Sequence, residues 1–229
     1  MMMFGQGVMA TTGSRLTLPT TGLIAAYDAR SFVSVDGGVT ASTLSDISGN
    51  GWHATQATAG QRAAISTADG YASILFDGTS DNYVTSITSS AGALTVYAVT
   101  KWTSAASSYI ALLDSNNGGG GRLFVGRMSS GQYGIYDGIE RNSGIAQGTT
   151  RSKLTFEAAV VGASRVWRNG IAGSAMGLSS LKALGSNPRI GRESVSAYSH
   201  FPGHLFAMSI YTGARNTAVE DFYFQEYGV

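Results

Sequence analysis

The chain contains no cysteine, which excludes a disulfide framework, a CxxC zinc site and thiol catalysis. Proline occurs only three times, and charged residues make up 13%, about half of the ~25% usual in soluble domains. Fifteen basic and fourteen acidic side chains leave a formal net charge of +1. The electrostatic footprint of a nucleic-acid binder is therefore missing, and the densest basic patches, "SRVWRNG" and "NPRIGRES", read as solvated strand ends. No stretch approaches the ~18 consecutive apolar residues of a membrane span. The N-terminus, "MMMFGQGVMATTGSR", has neither the basic region nor the apolar run of a signal peptide, so synthesis in the cytosol is expected.

What is abundant is glycine, 31 residues, together with Ser, Thr, Tyr and Phe, while 43% hydrophobic residues suffice for a full core. That is the composition of strands and turns. "YASILFDG" and "ALTVYAVTKW" alternate in period two, and Asp77-Gly78 and Asn169-Gly170 are tight-turn signals. Short strands at regular spacing indicate a sandwich or barrel. One segment breaks the pattern. "NTAVEDFYFQEYG" has Asn216 or Thr217 as N-cap, Glu220 and Asp221 in its first turn, and Gly228 at its end. It predicts a C-terminal helix whose docking face carries Val219, Phe222, Tyr223 and Tyr227. Residues 1–15 read as an arm and 16–229 as one domain.

The order of several motifs resembles the concanavalin A-like lectin/glucanase superfamily in its laminin-G-like form. They are "LIAAYDA", "LSDISGNGWHATQATAGQRA", "ILFDGTSDNYV", "VWRNG", "RIGRE" and the terminal "FPGHLFAMSIYTGARNTAVEDFYFQEYG". The resemblance runs from about residue 20 to 229 and implies an antiparallel two-sheet jelly roll with a short terminal helix. It leaves function open, because this fold hosts enzymes, lectins and structural modules.

The polar loop "DISGNGWH" is the densest group of chemistry-bearing side chains. Asp46, Ser48 and Asn50 can bond neighbouring backbone groups, with Gly49 and Gly51 at positive φ, which makes a self-satisfied turn. The alternative is a Ca²⁺ site of Asp46, Asn50, Asp77 and Asp81, although such a site takes six to eight oxygens. His53 reads as a structural histidine. No cofactor is expected.

Hydrolases of the resembled superfamily carry a Glu-x-Asp-x-Glu strand, and this chain has none; Glu140, Glu157 and Glu193 stand isolated. Composition leaves a Ser-His-Asp arrangement open, but there is no Gly-x-Ser-x-Gly elbow and no phosphate-binding motif. The chain is therefore expected not to be an enzyme. Two functions remain. One is a virion structural protein, a bacteriophage capsid decoration or minor capsid protein. It would be homo-oligomeric, tied to its neighbours by Met1, Met2, Met3 and Phe4; phage genomes carrying this jelly-roll type are what the resemblance implies. The other is a carbohydrate-binding module, with Trp52, Trp102, Trp167, Tyr133 and Tyr136 as candidate aromatic platforms.

Overall fold

Period-two alternation and turn glycines divide the described residues into sixteen strands, a short 3-10 turn at Ala59–Gln61 and, at the end, one α-helix. The computed structural model describes residues 17–90, 92–104, 109–116, 122–159, 161–185, 187–194 and 199–229. The arm residues Met1, Met2, Met3 and Phe4, with the contact expected of them, lie outside that set.

The first third of the chain forms β1 (Leu23–Val33), β2 (Thr43–Asp46), β3 (Ala54–Thr55), β4 (Ala64–Ala68), β5 (Tyr71–Asp77) and β6 (Tyr83–Thr85). The middle forms β7 (Leu94–Trp102), β8 (Ile110–Ser115), β9 (Leu123–Arg127), β10 (Gln132–Tyr136) and β11 (Glu140–Ala146). The remainder forms β12 (Ser152–Ala158), β13 (Arg165–Arg168), β14 (Ile171–Ala172), β15 (Arg189–Ile190), β16 (Pro202–Thr212) and the helix α1 (Thr217–Tyr227). Asn169 and Gly170 both have positive φ, the backbone a two-residue hairpin between β13 and β14 requires.

The ladder order is β11-β10-β9-β8-β15-β6-β3-β2-β1-β16-β7-β12-β13-β14, and every pairing is antiparallel. β1 joins a front sheet, β11-β10-β9-β8-β15-β6-β3-β2, to a back sheet, β16-β7-β12-β13-β14. Its start pairs with β16 and its end with β2, with a register shift between Tyr27 and Phe32. The halves close over one core, in which Leu113, Val125, Tyr133 and Ile135 of the front sheet meet Val96, Leu154, Phe156 and Met208 of the back sheet. The chain is thus an all-β, antiparallel two-sheet sandwich with a short C-terminal helix.

The back sheet buries its outer face as well. Tyr97, Val99, Phe206 and Tyr211 are covered by Val219, Tyr223 and Tyr227 of α1. Asn216 caps the helix by accepting from the Ala218 amide, and Gly228 ends it in the left-handed conformation. Phe222, expected on the docking face, is only half-buried at its margin, whereas Tyr223 is 2% exposed and donates to Ser209 Oγ at 2.8 Å. Glu220 does more than complement the helix dipole. Nearly fully buried, it accepts from Thr155 Oγ1 at 2.7 Å and from Arg215 Nε at 2.8 Å, which ties α1 to the sheet. Among the described residues no helix covers the outer face of the front sheet, where Ala111, Phe124 and Met128 form a small cluster with Tyr109 and Tyr136 packed against it.

Candidate functional site

Asp46 lies at the end of β2, where its carboxylate is filled by four donors. Oδ1 accepts from the Ala26 and Ser48 amides, and Oδ2 from Ser48 Oγ and the Trp52 amide, all at 2.8–2.9 Å. Burial works against the charge, but these bonds hold the Asp46 pKa below its usual value. Asn50 donates to the Leu23 and Ile24 carbonyls, and His53 Nδ1 accepts from the Asp46 amide at 3.0 Å. The loop satisfies itself and pins β1 to β2.

Asp77 is likewise filled, by the amides and hydroxyls of Thr79 and Ser80 and by the Asp81 amide. Asp81 accepts from the Asp77 amide; burial, with the Asp77 charge beside it, pushes its pKa up to about 6. Among the described residues no three His, Cys, Asp or Glu side chains gather as a metal site, so Asp46 with Asn50 and Asp77 with Asp81 do not form the Ca²⁺ cluster weighed from sequence.

The aromatic candidates separate. Trp102 is 1% exposed, its ring centroid 4.8 Å from that of Phe201 and 5.9 Å from that of Tyr133. Tyr133 is fully buried in the same core. Neither is a platform. Tyr133 and Tyr136 are three residues apart on β10, so alternation points them to opposite faces. Trp167 is covered by the Arg215 guanidinium 4.7 Å from its ring centre, with Arg215 itself paired to Glu220. Trp52 packs half-buried against the core, and its carbonyl accepts from Tyr27 Oη at 2.6 Å.

Tyr136 does reach a surface pocket. On the outer face of the front sheet, Tyr109, Arg122, Phe124, Tyr136 and Glu193 line a cavity of about 160 Å³. Four segments build it. β9 alternates, sending Leu123 and Val125 to the core and Phe124, preceded by Arg122, outward. β10 places Tyr136 directly across from Phe124. β8 carries a register shift between Ala111 and Leu113, so that both Leu112 and Leu113 face the core. That bulge returns Asp114 to the same face as Ala111, opposite Phe124, a position that strict alternation forbids for residues three apart. Glu193 follows β15, which pairs with β8.

Phe124 is the floor, 1% exposed, and Tyr109 stands perpendicular to both Phe124 and Tyr136 at centroid distances of 6.3 and 6.1 Å. The Arg122 guanidinium lies 5.4 Å from the Phe124 ring centre and 5.1 Å from that of Tyr136. Buried Asp114 accepts from Arg122 Nε and Nη2, both at 3.0 Å, and from Ser194 Oγ at 2.6 Å; Glu193 accepts from Nη2 in a short bond. Burial opposes the Arg122 charge, yet these two carboxylates raise its pKa above the ordinary value. Tyr109 Oη donates to Glu140 Oε2 at 2.7 Å, which fixes the wall. The result is a rigid cleft with apolar ring faces and fixed polar groups at one end, suited to a ligand with both a flat apolar face and hydroxyls.

Tyr109, Arg122, Phe124 and Glu193 are not evident as site residues from sequence. The i, i+2 pair Arg122–Phe124 is the one local signal; Glu193 arrives from a segment 71 residues away. A Ser–His contact also exists, Ser73 Oγ to His204 Nδ1 at 3.0 Å, with Ser73 fully buried and His204 half-buried.

No protein-family model and no curated protein matches the chain. Solved structures do match in fold. A Trypanosoma rangeli sialidase in complex with 2,3-difluoro-KDN superposes with a TM-score of 0.61 at 15% identity, over 93% of this chain and 34% of that one. The chain thus spans about a third of the sialidase's length. Domain 4 of AbnA, a GH43 extracellular arabinanase from Geobacillus stearothermophilus in complex with arabinotriose, gives a TM-score of 0.65 at 15% identity, over 87% of this chain and 97% of that one. The binding domain of Paraclostridial Mosquitocidal Protein 1 gives 0.55 at 14% identity, over 88% of this chain and 52% of that one. At these identities the likeness is one of fold: the chain is an all-β sandwich with a terminal helix, an architecture it shares with parts of a sialidase, an arabinanase and a binding domain.

Proposed function

We propose that this domain is a non-enzymatic carbohydrate-binding module whose saccharide seats in the pocket on the outer face of the front sheet. The observation that carries the reading is the pocket itself, with Tyr109, Phe124 and Tyr136 presenting ring faces beside the fixed Arg122–Glu193 pair. Sugars offer an apolar C–H face for aromatic contact and hydroxyls for polar groups. Its volume of about 160 Å³ is below the roughly 300–1,000 Å³ of drug-sized sites, a size for one sugar ring. Arabinotriose bound by the arabinanase domain, and the sialidase complex, support a saccharide as ligand.

Asp114 and Glu193 both accept from the Arg122 guanidinium, so the two carboxylates are engaged in one ion-pair cluster. The virion reading draws no support from these neighbours, and the residues it rests on lie outside those described. Calorimetric titration of the full chain with arabinotriose tests the proposal. Binding that weakens about tenfold or more in Tyr136→Ala, equivalent to ~1.4 kcal/mol, is expected. Failure of arabinotriose and of other common saccharides to bind, or binding indifferent to that substitution, would overturn it.

A further inference from the structure

The pocket has one lining cation, and its charge is already answered. Arg122 gives Nε and Nη2 to the buried Asp114 and also gives Nη2 to Glu193, so two carboxylates surround one guanidinium. A third carboxylate, Glu140, stands behind the Tyr109 wall as acceptor of its hydroxyl and of Ser129 Oγ. Burial works against ionised Glu140, but those hydroxyls outweigh it and keep its pKa below the usual range. The next cation along the sheet, Arg189, sits opposite Asp114 in backbone register and feels its charge, but its Nη1 donates to Asn82 Oδ1, and it does not line the cavity.

Arg122 still has donors to offer. No described residue accepts from Nη1, which leaves two N–H groups of the guanidinium plane for ligand oxygens. Its position 5.1–5.4 Å from two ring centres prevents it from turning to form a new bidentate pair without breaking both carboxylate bonds. An incoming carboxylate would therefore meet Arg122 only by displacing Asp114 or Glu193, or by adding its charge to theirs at close range. A neutral hydroxyl pair meets no such barrier, since it accepts from Nη1 at no electrostatic cost.

We infer that the pocket selects uncharged sugars and rejects those bearing a carboxylate, uronic and sialic acids included, with Asp114 and Glu193 as the residues that set this selectivity. The inference rests on the reading of the pocket as a saccharide site. The same fold in a sialidase therefore does not carry that enzyme's ligand class to this chain.

The experiment is a titration of the full chain, followed by NMR, with arabinotriose, N-acetylneuraminic acid, and two pairs that differ in one group, glucose with glucuronate and galactose with galacturonate. Any neutral sugar that binds is expected to do so at least about tenfold more tightly than its acid counterpart, because one added like charge is worth about that factor at a partly buried site. Glu193→Gln is expected to narrow that preference about tenfold, which a purely steric selection would not show. An acid sugar that binds the native chain as tightly as the neutral ones overturns the selectivity and leaves the saccharide reading standing. Absence of binding across the whole panel overturns both.

Discussion

Replacing Asp46 by Ala tests whether the polar loop is held by its own bonds. In the native chain the carboxylate takes two donors on each oxygen, and two of these, the amides of Ala26 and Trp52, come from segments it joins together. Alanine leaves the buried Ala26 amide without its acceptor and frees the Trp52 amide. Each unsatisfied buried donor costs about 1–3 kcal/mol, so the loss expected from the two amides is about 2–6 kcal/mol. At this chain length that is a fall in melting temperature of about 10 °C. Urea unfolding should show a lower midpoint at an unchanged slope, since the surface exposed on unfolding is the same. The pH dependence follows from the same bonds. The folded pKa lies below the unfolded one, so the carboxylate's contribution is present above the unfolded value and is lost as pH falls through the folded one. Chelator should leave the native melting temperature unchanged. A loss below about 1 kcal/mol would mean that water replaces these bonds as well as Asp46 makes them, and a melting temperature lowered by EDTA and restored by Ca²⁺ would make the loop a metal site.

Other parts of the structure make their own predictions. Asp81 titrates near 6 when folded against an ordinary 3.8, so its ionisation opposes folding; stability should fall by up to about 3 kcal/mol as pH rises from about 4 to about 6, and Asp81→Asn should remove that slope in pH-dependent urea melts. Tyr223→Ala should cost about 3–5 kcal/mol by thermal denaturation, and Phe222→Ala clearly less, because Tyr223 and not Phe222 fills the helix–sheet contact. Gly191 has φ +83°, and a Cβ there would lie 2.3 Å from the Phe76 ring, so Gly191→Ala should destabilise by about 2–4 kcal/mol; a near-neutral result would show that Phe76 has room to move.

Much of the fold was legible because it is written locally. The strand period, the Asn169–Gly170 hairpin and the capped helix depend on residues within a few positions of one another, and each stands where sequence places it. The Asp46 loop was legible for the same reason, since Ser48, Asn50 and Gly51 supply its turn chemistry. The pocket was not. Whether an aromatic side chain faces core or solvent depends on strand phase, and two aromatics three apart, Tyr133 and Tyr136, fall on opposite faces. A bulge in β8 decides that Asp114 lies beneath Arg122, and no residue type in "YIALLDS" announces it. Glu193 and Tyr109 join the site only through the pairing of distant strands. Phe222 does pack against the helix–sheet cluster, but at its margin: neighbouring helix positions lie about 100° apart, and only the packed sheet shows that Tyr223 is at the centre of the stripe.

The central claim, that the outer face of the front sheet is the ligand surface, is tested most directly by mapping amide chemical shifts while arabinotriose is added to the ¹⁵N-labelled chain. The largest shifts are expected at Phe124, Tyr136 and Glu193 and at the neighbouring Gly126 and Gly134, saturating together on one binding curve, with the Asp46 loop and α1 unmoved. Shifts that saturate elsewhere, at the Trp52 loop or along α1, with the front-sheet residues unchanged, would contradict the account.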